Sequence, residues 1–304
     1  MLSLKDAIRP TTILEPEKLG SLLDLDLVVI SETFQHTGSF KFRAAYNVVL
    51  NRPESEFVGV SSGNFGQALA YACKLLGRKC TVIMPHNSSK VKVEAVQRYG
   101  AEADLINVNE VSRVERLGQL RNALPNAYMA SAFDDRLVIE GNSSLGDEIA
   151  DLGLDAVVIP IGGGGLISGT VEAFERANKP IEIIGAEPAM ANDAARSLKA
   201  GRIIPNDFEP QTIADGTRTL SVGDLTFPVI QRGVKEIFEV SEEKIVEGLK
   251  LYFSHANLKC EPTGALSLGG VLQNADRFRN KRVGVIVSGG NVDPDVYSKL
   301  LANG

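Results

Sequence analysis

Short runs of β-branched residues alternate with stretches of helical periodicity along this chain, which predicts a parallel sheet joined by crossover helices. Phe57-Val58-Gly59-Val60 reads as a strand and residues 64–76 as an Ala-rich helix. Cys80-Thr81-Val82-Ile83-Met84 is a second strand, stopped by Pro85. Residues 88–99 follow as a helix, with Ser88 at its start and Gly100 past its end as the expected caps. A strand at 103–106 and a helix at 111–124 repeat the unit. A second series begins after Phe133, with a helix over 137–152 and the apolar strand Ala156-Val157-Val158-Ile159-Pro160 running into glycines. A helix over 166–177 and a strand at 181–184 come next. The strand Val283-Gly284-Val285-Ile286-Val287 and a helix at 294–301 close the pattern. The polar, Gly- and Thr-rich stretch 209–223 predicts a loop with a function or mobility of its own.

The 304 residues are 44% hydrophobic and 23% charged, so the chain can bury a sizeable core without covalent staples. Cys73, Cys80 and Cys260 match neither a disulfide framework nor a zinc motif, which points to a reducing compartment, the cytoplasm. A formal net charge of −6 disfavours nucleic-acid binding that rests on overall charge. The first residues lack the layout of a signal peptide. The longest uncharged runs, 57–73 and 156–171, are short for a bilayer span and broken by glycines, so no membrane partner is expected.

Glycines and small hydroxyls fall just after strands, where open α/β sheets bind ligands. Ile161-Gly162-Gly163-Gly164-Gly165-Leu166 follows a buried strand and opens a helix. Four successive glycines let the backbone wrap an anion with several N–H groups, and the helix N-terminus adds positive potential. The run has neither the G-x-G-x-x-G register nor the Gly-Lys-Ser/Thr of a P-loop, so a phosphate monoester is the better ligand. A plain tight turn would use only one or two glycines. Ser61-Ser62-Gly63-Asn64-Phe65-Gly66 has the same strand-to-helix placement. Asn64 is suited to cap that helix, and Ser61, Ser62 and Asn64 to present hydroxyls and an amide to the sheet's carboxyl edge. Thr37-Gly38-Ser39-Phe40-Lys41-Phe42-Arg43 is a third such junction, with Ser39 as its N-cap. Lys41 then falls in the first turn, where the macrodipole disfavours a cation. An imine-forming lysine, or one of lowered pKa, fits the position, although a surface lysine is the commoner occupant. Val287-Ser288-Gly289-Gly290-Asn291 ends the last strand with Ser288 at its carboxyl end, and alone it reads as a Gly-Gly turn.

Together these four segments, in this order and spacing, resemble the fold-type II pyridoxal-phosphate (PLP) enzymes of the serine/threonine dehydratase and serine racemase branch. The resemblance runs from about Arg9 to Asp293. It implies an α/β fold of the tryptophan synthase β type, with two open parallel-sheet domains and an active site in the cleft between them. The small domain is expected at 54–132 and the large PLP-binding domain at 1–53 and 133–304. By the same resemblance Lys41 binds PLP covalently and later moves protons, Phe40 lies beside the ring, and Gly162, Gly163, Gly164 and Gly165 cradle the phosphate. Asn64 hydrogen-bonds the ring hydroxyl, and Ser288 faces the pyridine nitrogen. Ser62 stands on the opposite ring face as the second acid/base of racemases. Ser61 and Asn64 bind the substrate carboxylate, Gly216 and Thr219 line the substrate side, and Arg113 sits near the entrance, where an exposed helix-face arginine is the plainer reading. Glu187, the Ala191 carbonyl and Asp193 match a divalent-cation site for Mg²⁺ or Ca²⁺, which a solvated turn would explain equally.

A neutral serine at the pyridine nitrogen favours prompt loss of a β-leaving group. The implied activity is therefore dehydration: α,β-elimination on a small β-hydroxy amino acid such as L-serine, L-threonine or a 3-hydroxy relative, giving a 2-keto acid and ammonia. The alternatives are an amino-acid (serine) racemase, a β-replacement synthase, and a non-catalytic module that binds a phosphate-containing ligand. A homodimer is the family expectation. The sequence departs from the family in three places. Phe65 stands for a usual His, Ser131-Ala132 for His-Pro before Phe133-Asp134-Asp135, and Gly141-Asn142-Ser143-Ser144 for Gly-Gln-Gly-Thr. Two of these remove histidines, so a less basic pocket is expected. No ATP activation and no regulatory domain are expected either.

Overall fold

The computed structural model describes residues 2–61, 63–88 and 90–302. Among the described residues ten strands run β1 Thr12–Leu14, β2 Asp26–Ser31, β3 Glu56–Val60, β4 Lys79–Pro85, β5 Glu102–Ile106, β6 Tyr128–Ala130, β7 Ala156–Pro160, β8 Glu182–Pro188, β9 Glu236–Val240 and β10 Arg282–Val287. They form a six-stranded sheet ordered β1-β2-β10-β7-β8-β9 and a four-stranded sheet ordered β5-β4-β3-β6. All pairs are parallel except β1 against β2, so the larger sheet carries one antiparallel edge that the sequence pattern did not predict.

The continuous apolar runs of the central strands follow from burial of both faces. In β7, Val158 joins one core with Val29, Ile184, Val240 and Val285, while Val157 and Ile159 join the other with Val28, Ile30 and Ile286. A strand with no wet face has no polar alternation. The helices Gly165–Arg176 and Arg136–Ile149 cover the second core, and Glu242–His255 and Pro262–Gln273 cover the first. The segment 209–223 holds only one 3₁₀ turn, Asp215–Thr217, as expected of a loop. No described helix is long and apolar enough to cross a membrane.

Three predicted caps are not formed. Ser88 Oγ has no hydrogen-bond partner among the described residues, and its helix, Lys90–Arg98, starts two residues later. Ser39 is extended and pairs with Gly289, Phe40 N–H donates to Ser288 O at 3.0 Å, and the helix Lys41–Asn51 starts without a side-chain cap. The chain is stitched to the end of β10 before it turns helical, and that stitching places Lys41. The helix Asn64–Leu75 likewise lacks a side-chain cap, because its cap position falls on Gly63 and Asn64 is already its first residue, with the amide bonded to Glu261.

Candidate active site

One cavity of ≈530 Å³ gathers the ends of both sheets. Its lining includes Phe40, Lys41, Ser61, Asn64, Arg113, Gly162, Gly163, Gly164, Gly165, Gly216, Thr219 and Ser288. Residues picked from six separated segments thus meet at one cavity, three of those segments following β3, β7 and β10 directly. Ser62 lies outside the described residues.

Lys41 is the first residue of its helix, and its Nζ donates to Ala132 O at 2.9 Å. The ammonium also stands over the rings of Phe40 and Phe65, at 4.9 and 5.9 Å from their centroids. Burial lowers its pKa to about 8, with the Glu261 carboxylate pulling the other way. A half-buried amine that is half deprotonated near pH 8 is poised as a nucleophile.

The glycine run packs too tightly for side chains. A Cβ on Gly163 would lie 2.1 Å from Phe133 Cγ, and one on Gly164 would lie 2.7 Å from Ile230 Cδ1. Gly164 also has φ of 90°, where an L side chain is strained. Thr226 Oγ1 donates to Gly163 O at 2.7 Å and holds the loop from behind. What remains is a row of backbone N–H groups ahead of the helix Gly165–Arg176, a geometry suited to a phosphate.

Ser288 is 2% exposed, and its Oγ has no hydrogen-bond partner among the described residues. A buried orphan hydroxyl on the cavity wall is free to meet a ligand. The Thr219 Oγ1 is in the same condition. Ser61 Oγ accepts from Gly63 N–H at 3.1 Å, and Gly216 N–H donates to Thr263 Oγ1 at 3.0 Å. Arg113 reaches across to Glu209 at 3.4 Å, and Lys92 reaches Asp215 at 3.2 Å.

The sequence reading missed Glu261. It is 3% exposed, lines the cavity, and accepts from Asn64 Nδ2 at 2.7 Å. Burial, helped by the Asp215 charge, raises its pKa to about 8. An acid before the Pro-started helix Pro262–Gln273 looks like an ordinary N-cap, yet it makes no cap bond. Only the fold brings it to Asn64.

Glu187, Ala191 and Asp193 stand outside the cavity lining, and all three are buried. Glu187 accepts from Ala194 N–H at 3.2 Å and Ala195 N–H at 2.7 Å. Asp193 accepts from Val222 N–H and Asn206 Nδ2, both at 2.9 Å. Burial raises Glu187 to about 9 and Asp193 to about 6, and the Asp193 charge adds to the rise at Glu187. Two buried carboxylates held apart from solvent are compatible with a hard cation between them. Among the described residues no group of three or more His, Cys, Asp or Glu side chains converges.

The profile of the family described as "Pyridoxal-phosphate dependent enzyme" matches residues 4–289. The chain is 39% identical over 298 residues to a beta-hydroxyaspartate dehydratase of Paracoccus denitrificans, covering 96% of this chain and 94% of that one. It is 36% identical to a serine racemase of Dictyostelium discoideum, over 97% of this chain and 93% of the relative. Among solved structures, a threonine deaminase from T.th. superposes with a TM-score of 0.89 at 37% identity, covering 95% of each chain. The half-buried lysine, the glycine run and these likenesses over nearly the full length agree: the chain belongs to the pyridoxal-phosphate dependent enzyme family, in its fold-type II group.

Proposed function

We propose that this protein is a PLP-dependent ammonia-lyase that dehydrates a small β-hydroxy amino acid to a 2-keto acid and ammonia. The observation that carries the reading is the buried, unpartnered Ser288 hydroxyl on the wall that also holds Lys41 and the glycine cradle. When bound, PLP stabilises the negative charge left at Cα after its proton is removed. Everything else falls to the chain. The N–H groups of 162–165 hold the phosphate, and Phe40 packs beside the ring. Asn64 Nδ2 donates to the ring hydroxyl, and the Ser288 hydroxyl meets the ring nitrogen without a charge. Lys41 Nζ holds the cofactor and takes the Cα proton. Ser61, Asn64 and the N-terminus of the helix Asn64–Leu75 bind the substrate carboxylate. Gly216 and Thr219 wall the substrate side. The β-hydroxyl leaves with a proton as water, and water is taken up again when ammonia is released.

Within this class we favour a dicarboxylic 3-hydroxy amino acid. Besides Lys41, the cavity lining carries the cations Lys92, Arg113, Arg218 and Lys259, the last donating to Gly290 O at 2.8 Å. Lys92 and Arg113 are matched by Asp215 and Glu209, whereas Arg218 donates only to Thr212 O among the described residues. The likeness to a beta-hydroxyaspartate dehydratase supports the same substrate. Racemisation is a second reading, supported by the serine racemase relative. It would use Ser62 on the second face, so Ser62→Ala would abolish it and spare some elimination.

The Glu187, Ala191 and Asp193 cluster is proposed as a Mg²⁺ or Ca²⁺ site on its two buried carboxylates. The three unpaired cysteines support a reducing, cytoplasmic setting, and the family resemblance supports a homodimer. The four-stranded sheet, drawn from β3 to β6, supports a small domain at 54–132 set against a large one.

A panel of L and D serine, threonine and 3-hydroxyaspartate, scored for keto acid and for enantiomer conversion, tests the reading. Keto acid from a β-hydroxy substrate is expected, with 3-hydroxyaspartate foremost. Enantiomer exchange without keto acid from any of them would replace the lyase by the racemase.

A further inference from the structure

Asn64 is held at both ends of its amide. Its Oδ1 accepts from Asn291 Nδ2 at 2.8 Å, and Asn291 Nδ2 is itself fixed by donation to Thr37 O at 2.7 Å. Its Nδ2 donates one hydrogen to Glu261 Oε1 at 2.7 Å. An amide nitrogen carries two hydrogens, so among the described residues one N–H stays free, and the two partners together forbid the flipped amide. Glu261 is built for this task rather than for its own helix. Its backbone is tied to the exit of β10, with Glu261 N–H donating to Gly289 O at 3.1 Å. Its carboxylate lies where a Cβ on Gly289 would come within 2.6 Å of Oε1. Among the described residues no lysine or arginine forms an ion pair with it, and Asn64 is its one side-chain hydrogen-bond partner.

We propose that Glu261 is a positioning residue that, with Asn291, clamps the Asn64 amide in the single orientation that aims its free N–H at the cofactor ring hydroxyl. The proposal rests on the reading of this cavity as the PLP site. It assigns Glu261 no contact with substrate and no proton transfer. It accounts for a buried carboxylate that neither caps its helix nor pairs with a cation. It also explains why the space at Gly289 must stay open.

The test is PLP affinity, read by absorbance titration of cofactor-free protein, in Glu261→Met, Glu261→Gln, Asn64→Ala and the Asn64→Ala/Glu261→Met pair. Met fills the space without accepting a hydrogen bond, whereas Gln keeps an acceptor. Losing one buried hydrogen bond predicts about tenfold weaker binding in Glu261→Met and in Asn64→Ala, and a change within about threefold in Glu261→Gln. In the pair, the Met exchange adds less than about threefold to the Asn64→Ala loss, because both act on one contact. Wild-type affinity in Glu261→Met, a Gln variant as weak as the Met variant, or fully additive losses would overturn the proposal. If the Met variant does not fold, Asn291→Ala probes the other end of the clamp in the same cycle. A wild-type protein that takes up no PLP, with no borohydride-fixed adduct on Lys41, would instead sink the reading of the site itself.

Discussion

Replacing Gly163 by alanine isolates what the glycine run contributes. The added Cβ would sit 2.1, 2.2 and 2.4 Å from three ring atoms of Phe133. Carbon atoms pack at about 3.5–4.0 Å, so the ring would have to retreat by roughly 1.5 Å. Its neighbours resist that. Ala132 O holds Lys41 Nζ, and the Asp134 carboxylate accepts from Asp224 N–H at 3.1 Å and Leu225 N–H at 2.8 Å. Overpacking against a pinned segment costs about 1–3 kcal/mol. At about 2–4 °C per kcal/mol for a chain somewhat smaller than this one, Tm should fall by several degrees. Movement of Phe133 also shifts the Lys41 anchor and the cradle, so PLP binding should weaken by about tenfold or more. Gly118→Ala is the control. Gly118 lies on the exposed helix Arg113–Ala123, where a Cβ meets nothing within 4 Å, and alanine there should add about 0.5–1 kcal/mol. Trimming the ring in Gly163→Ala/Phe133→Leu should recover part of the lost Tm. Thermal unfolding and cofactor titration of the four proteins give both readouts. A Gly163→Ala protein with wild-type Tm and wild-type PLP affinity would refute the packing argument.

Three further outcomes follow from the geometry. In cofactor-free protein, the folded-state pKa of Lys41 lies near 8, below its ordinary 10.5, so between these values the unfolded chain binds the extra proton. Stability should therefore rise with pH across pH 8–10.5 relative to Lys41→Met, and flat parallel curves in urea denaturation would contradict it. Arg43 is fully buried and binds Glu32 through Nε at 2.7 Å and Nη2 at 2.8 Å, and Glu148 through Nη1 at 2.7 Å. Arg43→Met strands the fully buried Glu32 carboxylate and should cost about 3–5 kcal/mol, much of it recovered in Arg43→Met/Glu32→Leu, as read by urea denaturation. Finally, Ca²⁺ or Mg²⁺ at a hundredfold excess over Kd should stabilise the protein by about 2.7 kcal/mol, and Asp193→Asn should lose that gain. An equal gain in wild type and variant would remove the cation from that cluster.

The parts of the site legible in the sequence are those fixed by local rules. Glycines and hydroxyls after a strand report the carboxyl edge of a parallel sheet, so Gly162–Gly165 and the segment 61–66 read locally as facing a ligand, whereas Ser288, alone a Gly-Gly turn, joined them only through the family resemblance; all of these segments line one cavity. Other features carried local signals that were not used. The stretch Glu236-Ile237-Phe238-Glu239-Val240 is β9, and Ser241 caps the next helix by accepting from Lys244 N–H, yet no element was predicted between 225 and 282. The edge strand β1 has three half-buried residues and too little pattern to read.

Ser39, Glu261 and Arg43 belong to a different class. Ser39 has a capping side chain, but pairing with Gly289 fixes its backbone as extended, and that partner lies 250 residues away. Glu261 and Asn64 are 197 residues apart. A charged residue is assigned to the surface by default, because burying a lone charge is prohibitive. The default fails only where the fold delivers a matching group, such as Glu32 and Glu148 to Arg43, or the Asn64 amide to Glu261. A buried charge is therefore a statement about long-range assembly. Arg43 lies two residues after Lys41, and Glu261 bonds the Asn64 amide at the cavity wall. The same long-range contacts that hide these charges also set the positions of the groups proposed to hold the cofactor.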